Sequence, residues 1–171
     1  RSPWRYSAAG EPDAPIPGAV RQVGYYAFAD STTLANAGAE VAYTDDPAAV
    51  LPTLQDVDVL FLTNNQPLPD STLRARILAL PGDATGLVIV HAGAWYNWED
   101  WPEYNRTLVG GGTRGHRAYG DFTVEVTQPD HPIMEGVPTS FTLEDELYRF
   151  ERDEQATEIT VLATATEEET G

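Results

Sequence analysis

Residues Gly86–Trp101 read GLVIVHAGAWYNWEDW, and the fold of the chain is predicted outward from this stretch. Its apolar run Leu87–Val90 is rich in β-branched residues and is typical of a strand buried on both faces, as in a parallel sheet. His91 stands at the carboxyl end of that strand, and the small residues 92–94 allow a sharp turn. Because ligands of open α/β sheets bind outside the carboxyl ends of the strands, His91 is placed where chemistry usually occurs.

An aromatic cluster follows the turn directly. Its flat faces suit the apolar faces of a sugar, so we predict that it forms one wall of a binding pocket; burial in the core or in an interface is the alternative. The residues of this cluster are Trp95, Tyr96, Trp98 and Trp101.

Strands and helices alternate on both sides of the central stretch. The predicted strands are Val20–Phe28, Glu40–Thr44, Val57–Thr63, the half-exposed Phe122–Thr127 and a last strand Ile159–Ala163. The predicted helices are Ala29–Gly38, a helix from its cap Asp70 to Leu80, and Trp101–Leu108, which ends at a flexible turn of glycines 110–112. This alternation predicts an α/β fold with a doubly wound, mostly parallel sheet. Residues 1–19 are predicted to be an irregular lead-in, and 20–171 a single domain.

The composition excludes several classes of function. Asp and Glu total 27, Lys and Arg total 10, and the formal net charge is -17, which opposes binding to nucleic acid or to an anionic membrane. All basic residues are arginine, as in a protein adapted to high salt; a GC-rich genome that replaces Lys with Arg is the alternative. The chain has no cysteine, so it has neither a disulfide nor a cysteine nucleophile. We find no apolar run of about 18 residues, as a membrane-spanning helix needs, and no signal peptide, and we predict a cytoplasmic protein.

The chain has only 3 histidines, His91, His116 and His131, and a carboxylate run at 144–146 lies beyond the last of them. Imidazole titrates near neutral pH, so His91 or His131 is a candidate general base, with Asp145 or Glu146 as the acid. A solvated acidic run is the alternative for these carboxylates. Arg114 and Arg117 flank His116 and could hold substrate hydroxyls or pair with surface acids.

A divalent metal is a second interpretation of the same residues. Imidazole nitrogens and carboxylate oxygens form zinc-like sites with a position open for water or substrate. The candidate ligands are His91, His116, His131 and Glu146. Their spacing does not match a compact zinc signature such as HExxH, so metal-free acid–base chemistry stays open.

Three ordered segments carry a resemblance to a known family. They read LVIVHAGAWYNWEDWPEYNRTLVGG, GHRAYGDFTVEVTQPDHPIMEGVP and FTLEDELYRF, from Leu87 to Phe150. In these segments the chain resembles the ThuA-like family, named for trehalose utilisation. The resemblance implies a flavodoxin-like three-layer sandwich similar to class I glutamine amidotransferases. Those enzymes carry a nucleophilic cysteine where this chain has His91, so cysteine-dependent ammonia transfer is excluded. Family members continue with a further strand and helix, so we expect the domain to be incomplete at its C-terminal end.

The resemblance implies a carbohydrate-catabolic role on a sugar or on a 3-keto derivative of a disaccharide. Hydrolysis, elimination and isomerisation are all open. The sequence leaves the oligomeric state open too, with a homo-oligomer as one alternative. The predicted catalytic residues are His91, His131, Asp145 and Glu146; the predicted substrate contacts are Trp95, Tyr96, Trp98, His116 and Tyr148. The alternative is a carbohydrate-binding or assembly module without catalysis, in which the tryptophans hold the ligand and the histidines brace the loops.

Overall fold

A parallel pair of strands, β3 (Val59–Leu62) and β4 (Gly86–Ile89), forms the centre of the fold. This computed structural model describes residues 20–21, 27–44, 46, 49–54, 57–64, 67–83, 85–94 and 99–166. Helix α2 (Ser71–Ala79) joins the two strands, and the Asp70 carboxylate caps it by accepting the N–H groups of Thr72 and Leu73. The cap satisfies two backbone donors that the first turn of the helix leaves open. The parallel pairing of β3 with β4, with α2 between them in sequence, confirms the predicted strand–helix–strand unit.

The two faces of the β3–β4 pair are buried unequally. Leu62 is 3 % exposed and packs with Ile77 of α2, which is 1 % exposed, and Leu87 and Ile89 of β4 pack against the same core. Residues of the opposite face alternate with these, and Val88 is 41 % exposed. The prediction that Leu87–Val90 is buried on both faces is therefore wrong at Val88, although Phe61 and Thr63 of the same face are half-buried and buried.

A second parallel pair lies near the start of the chain. Strand β1 (Val20–Arg21) pairs with β2 (Ala42–Tyr43), and helix α1 (Ala27–Asn36) lies between them in sequence. The predicted strand Val20–Phe28 is too long, because α1 already begins at Ala27. Residues 22–26 and the predicted lead-in 1–19 lie outside the described residues.

The second half of the chain is antiparallel. Helix α3 (Pro102–Tyr104) continues as a π-helical turn at Asn105–Val109, which confirms the predicted short helix. The strands that follow are β5 (Gly111–His116), β6 (Gly120–Val126), β7 (Ser140–Asp145), β8 (Tyr148–Arg152) and β9 (Ala163–Ala165). β5 pairs with β8, and β6 lies between β7 and β9, with all three pairings antiparallel.

The described residues thus form a mixed α/β fold and do not confirm a doubly wound, mostly parallel sheet. Their strands form two parallel pairs, one antiparallel pair and one three-stranded antiparallel sheet. The predicted strand Phe122–Thr127 matches β6, whose side chains alternate between half-buried and exposed. None of the described helices is long and apolar enough to cross a membrane.

In the antiparallel second half of the chain, two boundaries of predicted elements differ from the structure. The glycines 110–112 are not one flexible turn, because only Gly110 turns the chain, with φ 78°, while Gly111 begins β5 opposite Arg152. The last strand is β9 rather than Ile159–Ala163. The first pair between β9 and β6 is Ala163 with Val126, at the carboxyl end of β6. Just before it, the Leu162 carbonyl accepts the N–H of Thr127, the residue that follows β6.

Candidate active site

A tight turn at the end of β4 positions His91. His91 has φ 52° and is the one non-glycine residue with positive φ in the described ranges. It begins a 3-10 turn, His91–Ala94, in which the Gly93 N–H donates to the Val90 carbonyl at 3.0 Å. A Cβ on Gly93 would lie 2.7 Å from the carbonyl oxygen of Leu62, so this position needs glycine. The predicted sharp turn is confirmed, and its left-handed histidine is of the kind found at functional sites.

Two side chains from a distant segment contact the His91 ring. The Tyr148 hydroxyl lies 2.8 Å from His91 Nδ1, and the two ring centroids are 4.6 Å apart. A carboxylate oxygen of Glu146 lies 3.6 Å from Nε2. The side chains of His91 and Glu146 are 19 % and 18 % exposed, so solvent reaches the cluster only in part.

His116, at the end of β5, contacts the same two residues. The other Glu146 carboxylate oxygen lies 3.8 Å from His116 Nδ1, and the Tyr148 ring centroid is 5.3 Å from the His116 centroid. His116 Nδ1 also lies 2.8 Å from the Arg117 carbonyl oxygen. A carbonyl oxygen only accepts, so Nδ1 carries a proton, and the neutral ring presents its lone pair at Nε2.

A change of sheet brings Glu146 and Tyr148 to the histidines. Strand β7 ends with Asp145 opposite Gly120 in one sheet, and β8 begins with Tyr148 opposite His116 in the other. Glu146 therefore lies in the two-residue link between the sheets. We name the group of His91, His116, Glu146 and Tyr148 the histidine–carboxylate cluster.

The remaining predicted catalytic and metal residues are not in this cluster. His131 lies in the turn beyond the Val126 end of β6, about 20 Å along the strand from Gly120. Its Nδ1 accepts the Ile133 N–H at 3.3 Å. Asp145 is exposed, and its carboxylate accepts the Glu146 N–H at 2.7 Å. Residues Trp95, Tyr96 and Trp98 lie outside the described residues.

Three of the four predicted metal ligands come together, and the fourth does not. In the part of the chain that the structure describes, no group of three or more His, Asp or Glu side chains could hold a metal ion. His91, His116 and Glu146 converge, but His131 belongs to the distant turn. Among the described residues the predicted set of four ligands is therefore not assembled in one place, because His131 lies apart.

The two arginines that flank His116, Arg114 and Arg117, both interact with other residues of the chain. The Arg114 guanidinium lies 3.1 Å from a carboxylate oxygen of Glu99 and 4.0 Å from one of Glu151. The Arg117 guanidinium donates to the Asp121 carbonyl at 2.8 Å.

Tyr104 supports the turn and was not singled out from the sequence. Its side chain is 0 % exposed, and its hydroxyl donates to the Gly93 carbonyl at 2.8 Å. Burial raises the pKa of Tyr104 well above its ordinary value, so the hydroxyl stays a donor. The available signal was the spacing in WPEY, which places Trp101 and Tyr104 one helical turn apart; their rings stack at 4.9 Å.

Fold and site together define a mixed α/β protein with a histidine–carboxylate cluster at the carboxyl end of a parallel strand. The family model for trehalose utilisation, ThuA, matches residues 6–171. The chain belongs to the ThuA family, and the predicted resemblance is confirmed. Membership implies a carbohydrate function related to trehalose utilisation.

A solved structure supports the fold. A ThuA-like protein from Bacteroides uniformis ATCC 8492 superimposes with a TM-score of 0.66 at 20% sequence identity, over 92% of this chain and 72% of that chain. At this identity the likeness concerns the fold alone. A comparison with functionally curated proteins gave no match.

Proposed function

We propose that this protein is a carbohydrate-catabolic enzyme that transfers protons on a 3-keto sugar, with the histidine–carboxylate cluster as its active site. One observation carries the proposal: His91, in a left-handed conformation at the end of β4, contacts both Glu146 and Tyr148. Residues held in sparsely populated backbone conformations are concentrated at active sites. Family membership supports a sugar as the substrate.

His116 is the proposed general base. Its Nδ1 is committed to the Arg117 carbonyl, so Nε2 is the nitrogen that can take a proton. Glu146 lies beside the ring and would stabilise the imidazolium that forms.

His91 is the proposed general acid, with Tyr148 fixing its ring. The Tyr148 hydroxyl holds Nδ1, and Nε2 faces the Glu146 carboxylate. The 3.6 Å between Nε2 and Glu146 is beyond hydrogen-bond distance, so a protonated His91 would give its Nε2 proton to the oxygen that leaves the sugar. Glu146 lies beside both imidazoles and would balance a positive charge on either of them.

The proposed reaction on a 3-keto glycoside is an elimination. The base removes a proton from the carbon beside the carbonyl, and the bonding electrons form a double bond to the next carbon. The glycosidic oxygen leaves that carbon and takes a proton from the acid, so no water is consumed in this step. Isomerisation begins with the same proton removal. Trp95, Tyr96 and Trp98, which follow the turn in sequence, are proposed to stack on the sugar.

We also propose that the parallel pairs belong to one doubly wound sheet of the flavodoxin-like class. The helix between β1 and β2 and the helix between β3 and β4 support this arrangement, since parallel strands need such crossovers. The carboxyl ends of the strands would then share the edge at which His91 stands.

Proton exchange tests the proposed function directly. The protein is incubated in deuterium oxide with trehalose and with its 3-keto derivative, and NMR follows deuterium at the carbon beside the carbonyl together with released glucose. We expect exchange only in the keto sugar. His116→Gln and Glu146→Gln should each lower its rate by about 10²- to 10⁴-fold.

Glu125→Gln is the matched control for Glu146→Gln. Glu125 is an exposed carboxylate on β6, hydrogen-bonded to Ser140, and its substitution makes the same change in net charge away from the cluster. Absence of exchange and of turnover in the folded wild type would contradict the proposal. Sugar binding without either would favour the carbohydrate-binding module.

A further inference from the structure

We propose that Tyr104 is a positioning residue that holds His91 in its left-handed conformation by binding the carbonyl of Gly93. The inference rests on the proposed function only in treating His91 as the acid. Tyr104 belongs to α3 and reaches the turn through a single side-chain hydrogen bond of 2.8 Å to Gly93.

Hydrogen bonds hold both backbone polar groups of Gly93, the N–H and the carbonyl. Its N–H is held by the Val90 carbonyl, and Val90 is itself held by its N–H bond to the Leu62 carbonyl at 3.0 Å. The Gly93 carbonyl is held by the Tyr104 hydroxyl. Gly93 and Ala92 are both buried, so their backbone groups have little access to water. A buried carbonyl that loses its donor is costly, and the turn would relax to recover a partner.

Tyr104 is itself rigidly held. Its ring stacks on Trp101, and the Arg74 guanidinium lies 5.1 Å from the centroid of the Trp101 ring. Arg74 also pairs with Asp100 at 3.0 Å. Arg74 lies on α2, so the Tyr104 hydroxyl is fixed relative to the β3–β4 unit that carries His91.

Relaxation of the turn would act on His91 first. A left-handed histidine is unfavourable in isolation, so without the Gly93 bond its φ should return toward negative values. The ring would then move away from the Tyr148 hydroxyl and from Glu146, which together fix its orientation. The fold need not be lost, because Tyr104→Phe keeps the stacked ring.

Histidine NMR tests this inference without requiring turnover. The chain has 3 histidines, so ring signals are assigned from His91→Gln, His116→Gln and His131→Gln. In Tyr104→Phe we expect the ring chemical shifts of His91 to move while those of His131 stay unchanged. On a keto sugar that is turned over, kcat should fall about 10- to 100-fold with little change in KM.

Val50→Ala is the control for a general loss of stability. Val50 is buried in the same core but lies outside α2, α3 and the turn, so its truncation weakens the core and leaves the turn contacts in place. The His91 signals of this variant should match the wild type. If Tyr104→Phe leaves the His91 signals unchanged, or if Val50→Ala moves them equally, the inference is overturned.

A second variant covers the case in which Tyr104→Phe does not fold. Trp101→Phe loosens the stacked ring but keeps the Tyr104 hydroxyl, and it should displace the His91 signals to a smaller extent; no displacement would overturn the inference. If Tyr104→Phe moves His91 but no keto sugar exchanges a proton, the positioning role holds and the proposed function fails.

Discussion

At the scale of single residues, Tyr104 makes the free energy of unfolding depend on pH in the alkaline range. Burial raises its pKa above the ordinary 10.0, so the unfolded chain loses this proton at a lower pH than the folded protein. The contribution to stability is therefore complete below pH 10.0 and is lost as the pH rises above it. We expect the free energy of unfolding to fall by up to about 1.4 kcal/mol per pH unit from this group.

Urea denaturation at about pH 8 and about pH 11 measures the effect. Tyr104→Phe should be about 1 kcal/mol less stable at the lower pH, because the Gly93 hydrogen bond is lost, and should have a weaker alkaline decline. Tyr119→Phe is the control, since Tyr119 is 52 % exposed. Equal declines in wild type and Tyr104→Phe would contradict the assignment.

The sequence identified most of the cluster but not its geometry. His91 could be placed at the end of β4 because an apolar run followed by small residues is a local pattern. Its left-handed conformation and its support by Tyr104 depend on packing from α3, which no local pattern encodes. His131 is equivalent to His91 as a candidate in the sequence, yet it lies beyond the Val126 end of β6. Glu146, which contacts His91, lies near the other end of β6, because it follows Asp145, the partner of Gly120.

At the scale of elements, the link from β7 to β8 decides which carboxylate reaches the histidines. In the sequence Asp145 and Glu146 are neighbours in one carboxylate run and are equal candidates for the acid. The structure ends β7 at Asp145 and places Glu146 in the link to β8, which leaves Asp145 exposed and Glu146 between the imidazoles. Strand partners are chosen by hydrogen bonds between distant residues, so this division could not be inferred from the carboxylate run itself.

The contact between β5 and β8 is tested by Gly111→Ala. A Cβ at Gly111 would overlap the Glu151 carbonyl oxygen and approach the Phe150 ring, so the strands must separate. We expect a loss of about 1–3 kcal/mol in the free energy of unfolding. Because β5 ends at His116 and β8 begins at Tyr148, the His116 ring signals should also shift.

Gly82→Ala is the matched control for this element. A Cβ at Gly82 meets no atom within 4 Å, and the residue precedes β4 rather than lying in the β5–β8 pair. Urea denaturation should find it close to wild type. Equal stability of Gly111→Ala and Gly82→Ala would show that β5 and β8 are not in close contact at Gly111.

At the scale of the whole molecule, charge is the strongest feature of the composition. The formal net charge of -17 predicts self-repulsion that salt screens. Part of the repulsion is local, because Asp121 of β6 lies directly opposite Glu144 of β7, and both are exposed. Like charges directly opposite each other destabilise an antiparallel pair.

We expect the free energy of unfolding to rise between low salt and about 1 M KCl, where the screening length is about 3 Å. Asp121→Asn should raise it at low salt by about 0.2–1 kcal/mol, and this gain should shrink in concentrated salt. Glu135→Gln makes the same change in net charge in a turn between strands and should gain less. Urea denaturation of the three proteins at both salt concentrations measures these differences. Stability that does not rise with salt would contradict adaptation to high salt and would favour a GC-rich genome as the origin of the lysine-free composition.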